Sequence, residues 1–229
     1  MNGLDQAPGF HLTLPMLVKF AHAIFVGDLL MLLENQCRPY EKEPGSTEAL
    51  VAKWQEQILT LWRGRKVVRF SKLKALFPKI LRDFAALPKK EEDRVRVGIV
   101  GEIYMKYSPM GNNHLVDFLI EEGAEAVVPG LADFCMYCIC NSMQDRSLYG
   151  GKLFKSLGAR FIYRYFLRKE STIIDAINRD GHFSPPTLFS RTYEMAQEYI
   201  CLLYTSIDAA CLKFNRFSNM RKLLKFLYQ

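Results

Sequence analysis

The sequence lacks an uninterrupted apolar run of the length that crosses a membrane, which is about 18–20 residues. The nearest approach, Leu12–Leu33, is interrupted by Lys19, His22 and Asp28. The same stretch has neither the basic start nor the small-residue cleavage site of a signal peptide. We therefore expect no transmembrane helix and predict a cytoplasmic protein.

Several well-known functional motifs are also absent from the sequence. There is no G-x-G-x-x-G, no P-loop, no H-E-x-x-H and no G-x-S-x-G. These absences argue against a simple NAD enzyme, a P-loop ATPase, a zinc peptidase and a serine hydrolase of the nucleophile-elbow type. No internal repeat is visible at a period of about 20–50 residues, so a solenoid is not indicated.

Cysteine is too sparse for a disulfide framework, with six residues in a chain of 229. Three of the six cluster at Cys135, Cys138 and Cys140, but no second pair accompanies this C-x2-C-x-C spacing. Two interpretations stay open. The three residues are either ordinary buried thiols on a helix or participants in a metal or cluster site.

The net charge of +7 is unevenly distributed along the chain. Residues 201–229 hold five basic residues against the single acidic Asp208, which is +4 of that total. The preceding 200 residues mix both signs along their helices, as solvated faces do. We therefore predict neither a nucleic-acid partner nor a membrane partner.

The stretch 95–130 contains the pattern around which the rest of the chain is arranged. The run Val95–Val100 is apolar without helical spacing, which predicts a buried parallel strand. A helix is predicted over Asn113–Glu122, with Gly123 at its left-handed C′ position, and a second strand over Ala126–Val128. This is a βαβ half-unit of an α/β fold, in which ligands sit at the carboxyl ends of the strands.

The loop between the first strand and the helix, residues 102–113, carries the candidate binding residues. It offers a carboxylate, hydroxyls and amides, and Asn112 or Asn113 is predicted to cap the helix that follows. Arg38, in the upstream segment RPYE, suits a CoA phosphate or a substrate carboxylate, with a structural corner as the alternative. The candidate substrate-binding set is Arg38, Glu102, Tyr104, Tyr107, Ser108, Asn112 and Asn113.

Periodicity predicts helices on both sides of this unit. Upstream they cover residues 12–36, 46–62 and 71–87. Downstream they cover 131–143, 152–168, 170–178 and 187–200, with a loop at 145–151. The predicted organisation is a helical lead-in over 1–90 and a partial α/β domain over 91–200.

Residues 201–229 are predicted to be a doubtful, non-native tail. The segment CLLYTS at Cys201–Ser206 matches the translation of a transposon end used in preparing DNA sequencing libraries. The alternative is a native amphipathic helix over Phe214–Tyr228. Resequencing of the genomic DNA across the Ile200–Cys201 junction decides between the two.

A family resemblance covers residues 15–200 and rests on two segments. The segment VGIVGEIYMKYSPMGNNHLVDFLIEEGAEAVVPGLADFCMYC, with RPYE and then GSTE upstream, resembles the 2-hydroxyacyl-CoA dehydratase family. It is most similar to the long proteins described as acyl-CoA dehydratase activase-related. The resemblance implies a Rossmann- or flavodoxin-like parallel sheet, here partial, with the chain a fragment of a longer protein.

The resemblance also implies chemistry. The family binds a [4Fe–4S] cluster through cysteines, and here Cys138, then Cys135, are the candidate metal ligands. The cluster passes one electron to a 2-hydroxyacyl-CoA thioester, and an ATP-dependent activator supplies that electron. These are lyases of anaerobic metabolism, and their partners are further dehydratase segments or subunits. The fragment alone is expected to be inactive, and a non-catalytic scaffold or cluster-carrier domain that docks the activator is the alternative.

Overall fold

The computed structural model describes residues 13–63, 67–149 and 153–199. The contacts divide the chain after Pro186 into two units. The predicted tail over 201–229 lies outside the described residues. The predicted division into 1–90 and 91–200 stays a prediction.

The described part is mostly helical and contains one small sheet. A 3-10 turn, Arg38–Tyr40, follows the first helix. The elements in chain order are α1 (Leu14–Cys37), α2 (Ser46–Trp62), α3 (Phe70–Ala85), β1 (Val95–Gly98), α4 (Ile103–Tyr107), α5 (Pro109–Asn112), α6 (Leu115–Glu121), β2 (Ala124–Val127), α7 (Leu131–Tyr149), α8 (Leu153–Asp180) and α9 (Phe189–Tyr199).

The main core lies among α1, α3 and α8. Aromatic rings meet there, with the Phe25 ring 5.0 Å from the Phe166 ring and 6.3 Å from the Phe70 ring. The helical spacing of apolar residues that predicts these elements also explains the core, because each helix turns one apolar stripe inward. Its fully buried members include Phe25, Leu29, Leu33, Leu73, Phe77, Ile80, Leu81, Phe84 and Ile177.

The sheet confirms the predicted parallel pair of strands. Val95 pairs with Ala124 and Gly98 with Val127, and the Ile99 N–H donates to the Val127 carbonyl at 2.9 Å. The prediction that the first strand is buried is wrong, because three of the four β1 residues are exposed, with Val95 at 74%. The buried strand is β2.

Three predictions about helix boundaries are also wrong. The predicted loop 102–113 contains α4 and α5, and α6 therefore begins at Leu115 rather than at Asn113. The predicted break near residue 169 does not exist, since α8 is continuous and no glycine or proline lies between 159 and 180. The predicted loop at 145–151 begins too early, because α7 extends to Tyr149.

One described helix, Leu14–Tyr40, is long and apolar enough to cross a membrane by length and composition. Within its most apolar window, 39% of the residues are buried inside the fold. Core helices of soluble proteins and signal sequences meet the same criterion. The predicted cytoplasmic location therefore stays a prediction.

Candidate functional site

Two short helices shape the chain immediately after β1. The Glu102 carboxylate accepts a hydrogen bond from the Met105 N–H at 3.1 Å and so caps α4. The Ser108 hydroxyl accepts from the Gly111 N–H at 3.2 Å and caps α5. Both side chains supply acceptors that the free N–H groups of a first helical turn require. Glu102 and Ser108 thus have a structural role at the predicted site.

Asn112 and Asn113 lie at the junction of α5 and α6. The Asn112 amide donates to the Met105 carbonyl at 3.0 Å and accepts from the Leu115 N–H at 3.3 Å, so the predicted capping by an asparagine falls to Asn112. Asn113 and His114 both adopt left-handed backbone, with φ of 54° and 56°. Asparagine tolerates this conformation better than most residues, which explains its place here.

The Tyr107 phenol joins α4 to the end of β2. Its hydroxyl donates to the Pro129 carbonyl at 2.8 Å. Burial, and then the negative charge of Asp28, raise the pKa of Tyr107 above its usual range, so the phenol remains a donor. The Lys106 ammonium lies 5.9 Å from the centre of the Phe134 ring. The loop after β1 and the start of α7 are therefore neighbours.

Asp28 on α1 caps α7 across the fold. Its two carboxylate oxygens accept from the Leu131 and Ala132 N–H groups, both at 2.8 Å. The charge that interrupts the apolar run of α1 is thus bound to a partner in the structure. Burial raises the pKa of Asp28 to about 6, although the two hydrogen bonds oppose that shift.

A second carboxyl group, on Asp133, lies in the first turn of α7. Burial, and then the charge of Asp28, raise the pKa of Asp133 to about 6, while a hydrogen bond with Glu170 on α8 acts in the opposite direction. Two carboxyl groups that titrate near neutral pH thus lie just beyond β2. Groups perturbed in this way are suited to proton transfer. Asp133 is not among the residues predicted from the sequence, where its position three residues after Gly130 was the available signal.

The candidate cysteines are three residues apart on α7. Cys135 is half-buried and Cys138 is exposed, whereas Cys140 is buried. Burial raises the pKa of Cys135 to about 11, and the negative charges of Cys138 and Asp28 add to the shift. Burial also raises the pKa of the Cys138 thiol. A bound metal ion would have to displace both protons, since the thiolate is the ligand.

These thiols meet only part of the requirement of a [4Fe–4S] cluster. Such a cluster takes about four thiolates, and Cys135 and Cys138 supply two. Within the ranges that the structure describes, no group of three or more His, Cys, Asp and Glu side chains is arranged to hold a metal ion. The remaining ligands would come from outside these ranges, so no chemical step is assigned to the cluster.

Arg38 and Glu41, the charged residues of RPYE, build a corner. The Arg38 guanidinium binds the Glu48 carboxylate at 3.1 Å and the Asp117 carboxylate at 2.6 Å. The Glu41 carboxylate accepts from the Gly45 and Thr47 N–H groups, at 2.8 and 2.9 Å, and so caps α2. These contacts are those of a structural corner, which was the alternative to ligand binding predicted for Arg38. Its role in ligand binding stays a prediction.

The structure gathers most of the predicted site residues at one edge. Residues 102–113 follow the carboxyl end of β1, and the helix with Cys135 and Cys138 follows β2. Arg38 is linked to the far end of the loop through Asp117. The Asp117 carboxylate binds Arg38 and also contacts the His114 ring at 3.2 Å. Tyr104 is 69% exposed and faces solvent beside this edge.

A separate cleft of about 560 Å³ lies on the amino side of β1. At its base the buried Glu125 carboxylate accepts from the Tyr40 hydroxyl at 2.8 Å and from the Arg96 guanidinium at 3.0 Å. The lining mixes Lys89, Lys90 and Arg96 with Glu91, Glu92 and Asp93. Glu125 was missed in the sequence, where a charge inside the apolar run of β2 was the available signal.

Comparison with protein-family models, with curated proteins and with solved structures finds no match to this chain.

Proposed function

We propose that residues 13–199 form a CoA-thioester-binding segment of a 2-hydroxyacyl-CoA dehydratase-like or activase-related protein. The proposal includes the finer fold, a Rossmann- or flavodoxin-like domain of which β1 and β2 are two parallel strands. It rests on the resemblance of the segment that starts at Val97. One observation supports it in three dimensions: the Tyr107–Pro129 hydrogen bond joins the candidate loop to the turn before the cysteine-bearing helix.

The edge described above suits a long, amphipathic ligand. Tyr104, Met105 and Met110 present exposed apolar surface after β1. The Lys106 ammonium, 5.2 Å from the Tyr107 ring, adds a positive charge beside them. A CoA thioester combines an apolar acyl chain, a planar adenine and several phosphates, and each of these has a complementary group here.

In this proposal the chain's own residues bind and orient the thioester. Tyr104 contacts the ligand directly, while Glu102 and Ser108 cap α4 and α5 and Asn112 links α4 to the start of α6. Asp28 and Asp133 lie where they can hold or release a proton near neutral pH. Cys138 and Cys135, together with further ligands from elsewhere, would hold a [4Fe–4S] cluster, which would pass on the electron that the activator supplies.

Calorimetric titration of the full chain with a 2-hydroxyacyl-CoA thioester tests the binding part. Tyr104 can be replaced without loss of buried packing, because 69% of its surface is exposed. We expect Tyr104→Ala to weaken thioester binding about tenfold, which corresponds to about 1.4 kcal/mol. The matched control is Leu59→Ala, since Leu59 is exposed on α2 far from the loop in sequence. Equal affinity of the Tyr104 variant and the unaltered chain would contradict the proposal.

Anaerobic expression tests the cluster part. We expect a brown protein with about four iron atoms per functional unit. Cys138→Ser should lower the iron content, and Cys201→Ser, beyond the resemblance, should leave it unchanged. Unchanged iron in the Cys138 variant removes Cys138 from the site.

The second candidate function is a scaffold or cluster carrier that docks an ATP-dependent activator. The exposed thiol of Cys138 favours it, because a carrier must present its cluster at the surface. A dehydration assay with activator, ATP and a 2-hydroxyacyl-CoA distinguishes the two. Iron binding without thioester binding or turnover would support the carrier.

A further inference from the structure

Large apolar side chains are exposed on the amino-terminal halves of α1 and α8. Phe161 on α8 is 75% exposed, and Leu14 and Phe20 on α1 are 74% and 63% exposed. Further members of this set are Met16, Leu17, Leu157 and Ile162. Scattered exposed apolar residues need no explanation, but a group of this size on two helices does.

The two halves lie at the same end of the molecule. The His22 ring contacts the Tyr165 hydroxyl at 2.6 Å, and the Phe25 ring is 5.0 Å from the Phe166 ring. The two helices also lie close together at their carboxyl ends. There the Gln36 side chain of α1 donates a hydrogen bond to the carbonyl of Ser184, which follows the end of α8. The helices are therefore parallel. Leu14 and Leu157 each precede the His22–Tyr165 contact by eight residues, about 12 Å of helix.

The charged residues on these halves are all basic. Residues 13–23 contain Lys19, and residues 156–166 contain Arg160 and Arg164. Neither range contains an aspartate or a glutamate. Arg160 and Arg164 are exposed and flank Phe161 along α8. This end of the fold thus combines exposed apolar side chains with positive charge, which Arg160 and Arg164 carry on α8.

We propose that this end, the α1–α8 face formed by residues 14–20 and 157–164, binds an anionic lipid bilayer surface. Charge complementarity selects the occupant, because basic residues beside apolar ones are attracted to anionic headgroups while the apolar groups enter the interface. The contact is peripheral, since the second half of α1 is core, with Phe25, Leu29 and Leu33 fully buried. This inference is independent of the proposed CoA-thioester function and replaces the expectation of no membrane partner.

Sedimentation of the full chain with lipid vesicles tests the inference. The probes are vesicles of phosphatidylcholine mixed with phosphatidylglycerol and vesicles of phosphatidylcholine alone. We expect binding to the anionic vesicles that weakens as salt is added. The double variant Arg160→Glu, Arg164→Glu should lower the partition coefficient by more than tenfold, at about fivefold for each positive charge removed.

An apolar variant and two controls complete the experiment. Phe161→Ser should weaken vesicle binding severalfold without unfolding the chain, because Phe161 is exposed. Leu59→Ser removes a similarly exposed apolar group on α2, and Lys53→Glu with Lys72→Glu reverses two exposed charges on α2 and α3. Circular dichroism verifies the fold of every variant, and both controls should bind as the unaltered chain does.

Three results would overturn the inference. One is the absence of binding to anionic vesicles. Another is an equal loss in the face variants and the controls, which would assign vesicle binding to general basicity or to other residues. The last is self-association, seen by light scattering, that Phe161→Ser abolishes while vesicle binding stays unchanged, which would assign the face to a second copy of the chain.

Discussion

Gly130 shows how closely one residue can be constrained by another distant in the sequence. A Cβ atom at this position would lie 2.7 Å from the Asp28 Oδ2 atom and 3.0 Å from its Cγ atom. The same carboxylate binds the two N–H groups that follow Gly130. The glycine is needed here for space, because its φ lies outside the left-handed region.

We therefore predict that Gly130→Ala lowers the free energy of unfolding by about 1–3 kcal/mol, as overpacking does. The Asp28 carboxyl group must move and lose part of its hydrogen bonding to α7. Urea denaturation followed by circular dichroism measures the change.

Gly158→Ala is the matched control for this substitution. A Cβ atom at Gly158 on α8 has nothing within 4 Å. Alanine there should stabilise the chain by up to about 1 kcal/mol, because it raises helix propensity. An equal effect of the two substitutions would show that the contact with Asp28 has no energetic role.

The roles of some residues could be predicted from the sequence, and the roles of others could not. Asp28 visibly interrupts the apolar run of α1, but its partners, the Leu131 and Ala132 N–H groups, are 103 and 104 residues away. Gly123 at a left-handed helix end was predicted and is confirmed, with φ of 84°. That position depends on local backbone geometry alone, which is why the sequence sufficed.

At the scale of elements, the link between α1 and α2 depends on the corner that Arg38 and Glu41 form. Burial alone would raise the pKa of Glu41, but hydrogen bonds from Thr47, Gly45 and Ser46 lower it below its usual value. The carboxylate therefore stabilises the start of α2 in its ionised form.

We predict that Glu41→Gln lowers the free energy of unfolding by about 1–2 kcal/mol at neutral pH, because an amide places a donor against one of the N–H groups. Thermal or urea unfolding measures this loss. Glu56→Gln on the exposed side of α2 serves as the control and should change stability by less than about 0.5 kcal/mol. If the two variants are equally stable, the Glu41 cap has no net effect on folding.

The elements that the sequence predicted best are those with a long period of apolar residues. α1, α2 and α3 lie within two residues of their predicted bounds at both ends. The region after β1 was predicted less well, because α4 and α5 are too short to show a period and depend on the caps Glu102 and Ser108. Exposure of β1 was not predictable, since an apolar run does not show whether another element covers the strand.

For the molecule as a whole, Asp28 and Asp133 set an unusual dependence of stability on pH. Both have pKa values raised from 3.8 to about 6. The folded state therefore holds more protons than the unfolded state between these values, so the free energy of unfolding falls as pH rises through this window. The lowered pKa of His22, caused by burial and then by Lys169, opposes this trend.

We predict that Asp133→Asn flattens this dependence. Relative to the unaltered chain, the variant should gain stability between pH 5 and pH 7, with an upper limit of about 3 kcal/mol for one such group. Urea denaturation at both pH values measures the difference, in which the His22 contribution cancels. Asp133→Ala removes the same ionising group and should change the slope equally. Parallel profiles for the variant and the unaltered chain would contradict the assignment.

The cap that Asp28 provides to α7 also has a consequence during protein synthesis. The acceptor is made 103 residues before the Leu131 N–H that it binds. At about 5–20 residues per second, a nascent chain carries Asp28 for about 5–20 seconds before its donor exists. Throughout that interval the carboxylate lacks these two donors, and closing so long a segment has an entropic cost. Docking of α7 on α1 is therefore a late event of folding on the ribosome.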